Sequence, residues 1–130
     1  MTKPVKGYVG WALSDRTRAQ LLKKFPASYE RLIAHHVTLK FGVTSAEPLP
    51  TATQGVIVGV ADDGEGVQAL VLRIDGTSAR PGGGVYHITW SLGTNRKPVE
   101  SNQVIASQGF TPVHPAIRIP LVPMFFPMGS

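Results

Sequence analysis

Two tetrapeptides of one pattern, His36-Val37-Thr38-Leu39 and His87-Ile88-Thr89-Trp90, restrict this chain more than any other stretch. Each lies in a short apolar run closed by a glycine, His35 to Gly42 and Tyr86 to Gly93. Alternation with period two marks a strand with one face in a core, because successive side chains point to opposite faces. The first run predicts a strand with His36, Thr38 and Lys40 on a polar face and Val37, Leu39 and Phe41 on an apolar one. The second predicts His87, Thr89 and Ser91 opposite Tyr86, Ile88, Trp90 and Leu92. Two amphipathic strands carrying the same polar pair point to a duplicated half-site facing one cleft.

Such a pairing has a chemical use. Hydrolysing a phosphate ester needs a base for the attacking water, an acid for the leaving oxygen and donors for the phosphoryl oxygens. Imidazole titrates near neutrality and serves as either base or acid. Threonine hydroxyls can hold the non-bridging oxygens between the rings. A lone His-x-Thr on a strand is ordinarily just a hydrogen-bonded polar pair, and the repetition in the same phase gives it weight. His35 is out of phase with His36 and reads as structural, while His114, between Val113 and Pro115, reads as a loop residue. The four histidines show neither HExxH spacing nor a nearby carboxylate set, so neither a metal nor another cofactor is expected.

The doubled motif resembles the 2H phosphoesterase superfamily, named for two His-apolar-Thr-apolar motifs. Its members include RNA 2′,3′-cyclic phosphodiesterases, the cyclic phosphodiesterase part of fungal tRNA ligases, and phage enzymes that destroy cyclic-oligonucleotide immune signals. The likeness rests on His36, Thr38, His87 and Thr89 and, more loosely, on the order of elements along a chain short for the superfamily. It implies an α+β fold of two lobes, with a curved antiparallel sheet, central His-x-Thr strands and outer helices. It also implies a metal-independent phosphodiesterase, with His36 and His87 as acid and base and Thr38 and Thr89 binding phosphate. The implied substrate is an RNA end or cyclic nucleotide bearing a 2′,3′-cyclic phosphate, opened to a 2′-phosphate. A 3′-5′ cyclic oligonucleotide uses the same four residues, so the motifs leave this alternative open, along with that of a nucleotide- or RNA-binding module without chemistry. Tyr8 and Lys40 are further candidates for substrate binding, Tyr8 by stacking on a base and Lys40 by adding charge in phase with His36 and Thr38.

Composition agrees with a globular domain. A chain of 130 residues with 42% hydrophobic and 16% charged residues predicts one domain, residues 1–130, with a single core. The formal charge of +5 and a pI near 9.9 suit an anionic partner, or simply solubility. Cysteine is absent, which excludes disulfides and thiolate metal sites. Lys3 and Lys6 precede a run too short and polar for a secretory signal, and prolines 120, 123 and 127 break the apolar tail, so a cytoplasmic chain with no membrane partner is expected.

Along the chain, Gly7 to Leu13 predicts a first strand with Val9, Trp11 and Leu13 inward and a small face, Gly10 and Ala12, that lets a substrate approach the backbone. Ser14 caps a helix running to about Phe25, burying Ala19, Leu22 and Phe25 and stopped by Pro26. Residues 27–34 predict a helical turn, and residues 43–53 a surface loop. Runs 55–61 and 68–75 predict a hairpin closed by the acidic turn Asp62 to Gly66. Residues 76–84, glycine-rich around Arg80, predict a connector, a rim or a lid beside the second motif. Pro98 opens a second helix ending at Gly109, residues 110–115 predict a loop, and residues 116–122 a last strand at an edge.

Overall fold

A computed structural model describes residues 5–128. The architecture is α+β: eight strands form a curled antiparallel half-barrel sheet, and two helices pack on it. The elements are β1 (Lys6–Ala12), α1 (Asp15–Lys24), β2 (Arg31–Leu32), β3 (His36–Thr44), β4 (Gln54–Asp62), β5 (Val67–Arg73), β6 (His87–Leu92), α2 (Glu100–Gln108), β7 (Thr111–Pro120) and β8 (Val122–Pro127). The strand order is β7-β4-β5-β6-β3-β1-β8, with β2 pairing on β6 ahead of β3. The two motif strands are therefore neighbours near the middle of the sheet. No helix among the described residues is long and apolar enough to cross a membrane.

Each face of the sheet has its own apolar cluster. The larger gathers Trp11, Val37, Leu70, Leu72, Ile88 and Trp90 beneath Leu21 of α1. The smaller joins Ala61, Val67, Ala69, Val71 and Leu92 to Val104 and Ile105 of α2. Both tryptophans are buried, and each indole N–H is satisfied by a carbonyl, Trp11 on Ala52 (2.8 Å) and Trp90 on Phe25 (2.6 Å).

Helix α1 begins as the sequence suggests, with Ser14 in extended conformation and its hydroxyl accepting from the Thr17 amide at 3.1 Å. Asp15 in the first turn and Lys23 and Lys24 in the last suit the helix dipole. The buried face differs from expectation. Ala19 is exposed, and the core side is Thr17 and Leu21, flanked by partly buried Leu22 and Phe25. Thr17 is polar, but its hydroxyl accepts from Ser14 at 3.0 Å, so it can be buried at little cost.

Residues 27–34 are not helical. Their amides find long-range acceptors instead: Ser28 on Gln68 Oε1 (2.9 Å), Tyr29 on Ser91 Oγ (3.2 Å), Ile33 on the Trp90 carbonyl (2.9 Å) and Ala34 on the Thr89 carbonyl (3.0 Å). Arg31 and Leu32 thus join the sheet as β2. Between Leu32↔Ser91 and Val37↔Ile88 the register against β6 slips by two residues, and the slip is made at Ala34, a buried non-glycine residue with φ 45°.

The tail also departs from expectation. Residues 111–115 are strand, not loop, so His114 lies exposed in β7, and Val122–Pro127 adds β8 beyond it. The edge position expected for the strand around Pro120 is found, since β7 and β8 are the two outer strands, where the N–H missing at prolines 112, 115, 120, 123 and 127 need face no partner.

Two register irregularities against β1 bend β3. Gly7↔Val43 is followed by Tyr8↔Phe41, and Val9↔Lys40 by Gly10↔Thr38, which leaves Gly42 and Leu39 as extra residues. Gly42 takes φ 70°, which suits glycine. At Gly10 the strands approach so closely that a Cβ would strike the Val37 carbonyl oxygen. The small face of β1 accordingly makes room for β3 there, not for a substrate. Gly10→Ala is expected to lower stability by about 2 kcal/mol, within the range for overpacking a tight site, measured as the shift in urea midpoint at constant m.

Candidate active site

The single registered pair between the motif strands is Val37↔Ile88, with both side chains fully buried in the larger core. Their chain neighbours must then point to the opposite face. This brings His36, Thr38, His87 and Thr89 to one side of the sheet, all four lining a cavity of about 130 Å³. By the same register His36 stands across from Thr89, and Thr38 across from His87. The histidines are thus diagonal neighbours, a relation that separates Cα positions by about 7–8 Å. The cavity walls are completed by Ile33, Phe41, Arg80, Pro98, Val99 and Asn102.

Both imidazoles are held at Nδ1. His87 Nδ1 lies 2.8 Å from the Val85 carbonyl, which can only accept, so Nδ1 carries the proton and the neutral ring keeps its lone pair on Nε2. His36 Nδ1 lies 3.0 Å from His35 Nδ1, one ring donating and the other accepting. His35 is therefore the neighbour that orients His36, a contact that its phase in the sequence did not suggest. Tyr8, Phe126 and His35 surround the His36 ring with centroid distances of 5.1, 5.0 and 5.1 Å.

Burial pushes His36 down to about 4, helped by repulsion from His35 and His87. His87 is also lowered, first by burial and then by Arg80, against the opposing pull of the Val85 carbonyl. Both rings are accordingly neutral at pH 7.

The threonines differ. Thr38 is half-buried, with no hydrogen bond from its hydroxyl to a described residue, and lines the cavity. Thr89 is buried, its hydroxyl donating to the Pro98 carbonyl at a long 3.3 Å and lying 2.9 Å from Ser101 Oγ. Thr89 thus ties β6 to the start of α2 as well as facing the cavity.

Lys40 is not at the site. The extra residue Leu39 reverses the phase of β3, so Phe41 lines the cavity in its place. Lys40 lies outside, its ammonium 3.6 Å from Glu47. Tyr8 does not line the cavity, but its ring backs both His36 and Phe41. The cation at the site is Arg80. Residues 76–84 fold into a closed turn, with Arg80 N–H donating to Gly84 and Gly83 N–H to Arg80, both at 3.0 Å. The Arg80 guanidinium reaches the Gly83 carbonyl (3.1 Å) and Asn102 Oδ1 (3.4 Å) and pairs with no described carboxylate. In the sequence, the only hint of this role was an arginine in a glycine-rich run leading into the second motif.

The acidic turn is tied up internally. Asp63 accepts from the amides of Glu65 (2.8 Å) and Val67 (3.0 Å) and pairs with Arg96 at 2.9 Å. Among the described residues no cluster of three His, Asp or Glu side chains is placed to hold a metal ion. No family model, characterised protein or solved structure matches this chain.

The lowered histidines set a pH dependence. A histidine whose folded pKa lies below its unfolded value binds fewer protons when folded, so stability falls as pH drops through that interval. For His36 the interval runs from 6.5 down to about 4. The urea midpoint is therefore expected to fall between about pH 7 and 5, above the range where carboxylates titrate, and His36→Ala should flatten that fall. By NMR, the His36 ring should stay neutral until about pH 4.

Proposed function

We propose that this chain is a two-histidine phosphodiesterase of the 2H type that opens a 2′,3′-cyclic phosphate of RNA or a nucleotide to a 2′-phosphate. The observation that carries the reading is the register Val37↔Ile88, which sets two imidazoles and two threonines around one small cavity. Its volume of about 130 Å³ suits a phosphoryl group with an attacking water, being well below the roughly 300–1,000 Å³ of pockets that enclose whole ligands.

In this mechanism His36 is the base. Kept neutral by burial, it takes a proton from water as the oxygen attacks phosphorus. His87 is the acid. Its Nδ1–H on the Val85 carbonyl favours the charged ring, and an arriving phosphodiester anion favours it further. The P–O3′ bond breaks as the His87 imidazolium gives its proton to O3′, and the new phosphate remains on O2′. Proton exchange with solvent then resets both rings.

Thr38 donates to one non-bridging oxygen. Thr89 can donate to the other by releasing the long bond to Pro98 while Ser101 donates to it. Arg80 supplies the positive charge that Lys40 was expected to bring, and a fixed cation in a partly dry site stabilises phosphoryl oxygens strongly.

His36→Ala and His87→Ala should each lower kcat by about 10² to 10⁴ with the fold retained by circular dichroism, and EDTA should leave turnover unchanged. Arg80→Gln should cost about 10² or more. Product chromatography from 2′,3′-cyclic nucleotides measures all of these, and full activity in both histidine variants would end the reading.

A further inference from the structure

Beyond the inner cavity lies a second, shallower groove of about 270 Å³, walled by Leu39, Lys40, Phe41, Arg80, Pro81 and the Gly82-Gly83 turn. Phe41 and Arg80 belong to both spaces, so the two adjoin at that pair. Phe41 is 59% exposed, unusual for a phenylalanine within a strand. It is also the outer member of an aromatic stack. Tyr8 lies 4.9 Å behind it, and Phe126 lies 5.0 Å from Tyr8 at an interplanar angle of 15°. A lone surface aromatic needs no explanation, but one braced from behind and set beside a guanidinium that no described carboxylate pairs is a platform.

We infer that this groove is a subsite for the nucleotide neighbouring the reacting one, its base stacking on Phe41 and its phosphate meeting Arg80 and Lys40. A substrate of two or more nucleotides is then held more tightly than a single one. Three observations lead there. The inner cavity, about 130 Å³, is smaller than pockets that enclose whole ligands, so a strand held there by one phosphate must continue beyond it. Successive phosphates of one strand would flank Arg80, the residue common to both spaces. Aromatic faces beside cations are how proteins hold unpaired nucleotides, tolerant of sequence and sensitive to salt. Lys40, 61% exposed at its side chain and 3.6 Å from Glu47, is free to exchange that weak ion pair for a phosphate. The irregularity at Leu39 thus exchanges Lys40 for Phe41 at the inner cavity and sends Lys40 to the groove.

The inference rests on the phosphodiesterase reading for which phosphate enters the inner cavity, and its test is a binding measurement that needs no turnover. Calorimetry at fixed ionic strength compares uridine 3′-monophosphate with the dinucleotide UpU bearing a 3′-phosphate, and a third arm uses a 3′-5′ cyclic dinucleotide. The dinucleotide is expected to bind about tenfold tighter than the mononucleotide, and Phe41→Leu to reduce that ratio to within about twofold. Lys40→Gln should weaken the dinucleotide alone, by about threefold, with a shallower salt dependence. NMR on the wild-type protein gives an independent reading, since the Phe41 ring protons should shift further with the dinucleotide than with the mononucleotide. Equal affinity for both ligands, or a Phe41 ring unmoved by the dinucleotide, overturns the subsite. Tighter binding of the linear dinucleotide than of the cyclic one identifies an RNA end as the source, and the reverse identifies a cyclic dinucleotide. If no cyclic phosphate is turned over while the affinity ratio stands, the phosphodiesterase reading fails and the subsite survives. Turnover with a ratio of one sinks the subsite alone.

Discussion

The candidate site depends on two buried side chains meeting across one pair of strands. Val37 and Ile88 are fully enclosed among Leu70, Trp90 and Trp11, so neither strand can turn over without exposing its apolar side to water. A slip of one residue in β3 would send His36 and Thr38 into the core, and one in β6 would send His87 and Thr89 there. The hydrophobic effect thereby fixes which face the polar residues occupy, and no polar contact between the two motifs is needed to do so.

The cavity that results is electrostatically lopsided. Two imidazoles are denied their protons by burial, and the charge nearby is a guanidinium that no described carboxylate neutralises. A site with this balance favours an anion, and an anion would in turn favour protonating one ring. The acidic residues of the turn at Asp62 to Gly66 do not offset it, because Asp63 is spent on local amides and Arg96. The net basicity read from composition is thus sharpened at one place by Arg80.

What could be read from the chain was whatever depends on near neighbours. The period-two phase over His36–Thr38 and His87–Trp90, the Ser14 cap, the hairpin of β4 and β5 and the glycine end of α2 follow from a few adjacent residues, whereas Leu92, expected beside Trp90, packs in the smaller cluster. What could not be read depends on distant partners. Arg31 and Leu32 are strand only because β6 offers them an edge, and residues 111–115 join β7 only because β4 pairs with them. Lys40 and Phe41 exchange sides through a bulge set by β1, which no alternation within β3 reveals. Arg80 reaches the cavity through a turn whose course depends on Asn102 and Tyr86.

The left-handed turn at Ala34 has a consequence for the gap between the rings. If β2 ran into β3 without interruption, the register Leu32↔Ser91 would carry His36 directly opposite His87. Residues so placed hold their Cβ atoms about 4.5–5.5 Å apart, and two imidazoles there would fill the space between them. The two extra residues leave the facing of every side chain unchanged but stagger the histidines along the strands. One torsion outside both motifs, at a cost of about 1–2 kcal/mol for a residue with a Cβ, is therefore the spacer that decides whether anything fits between them.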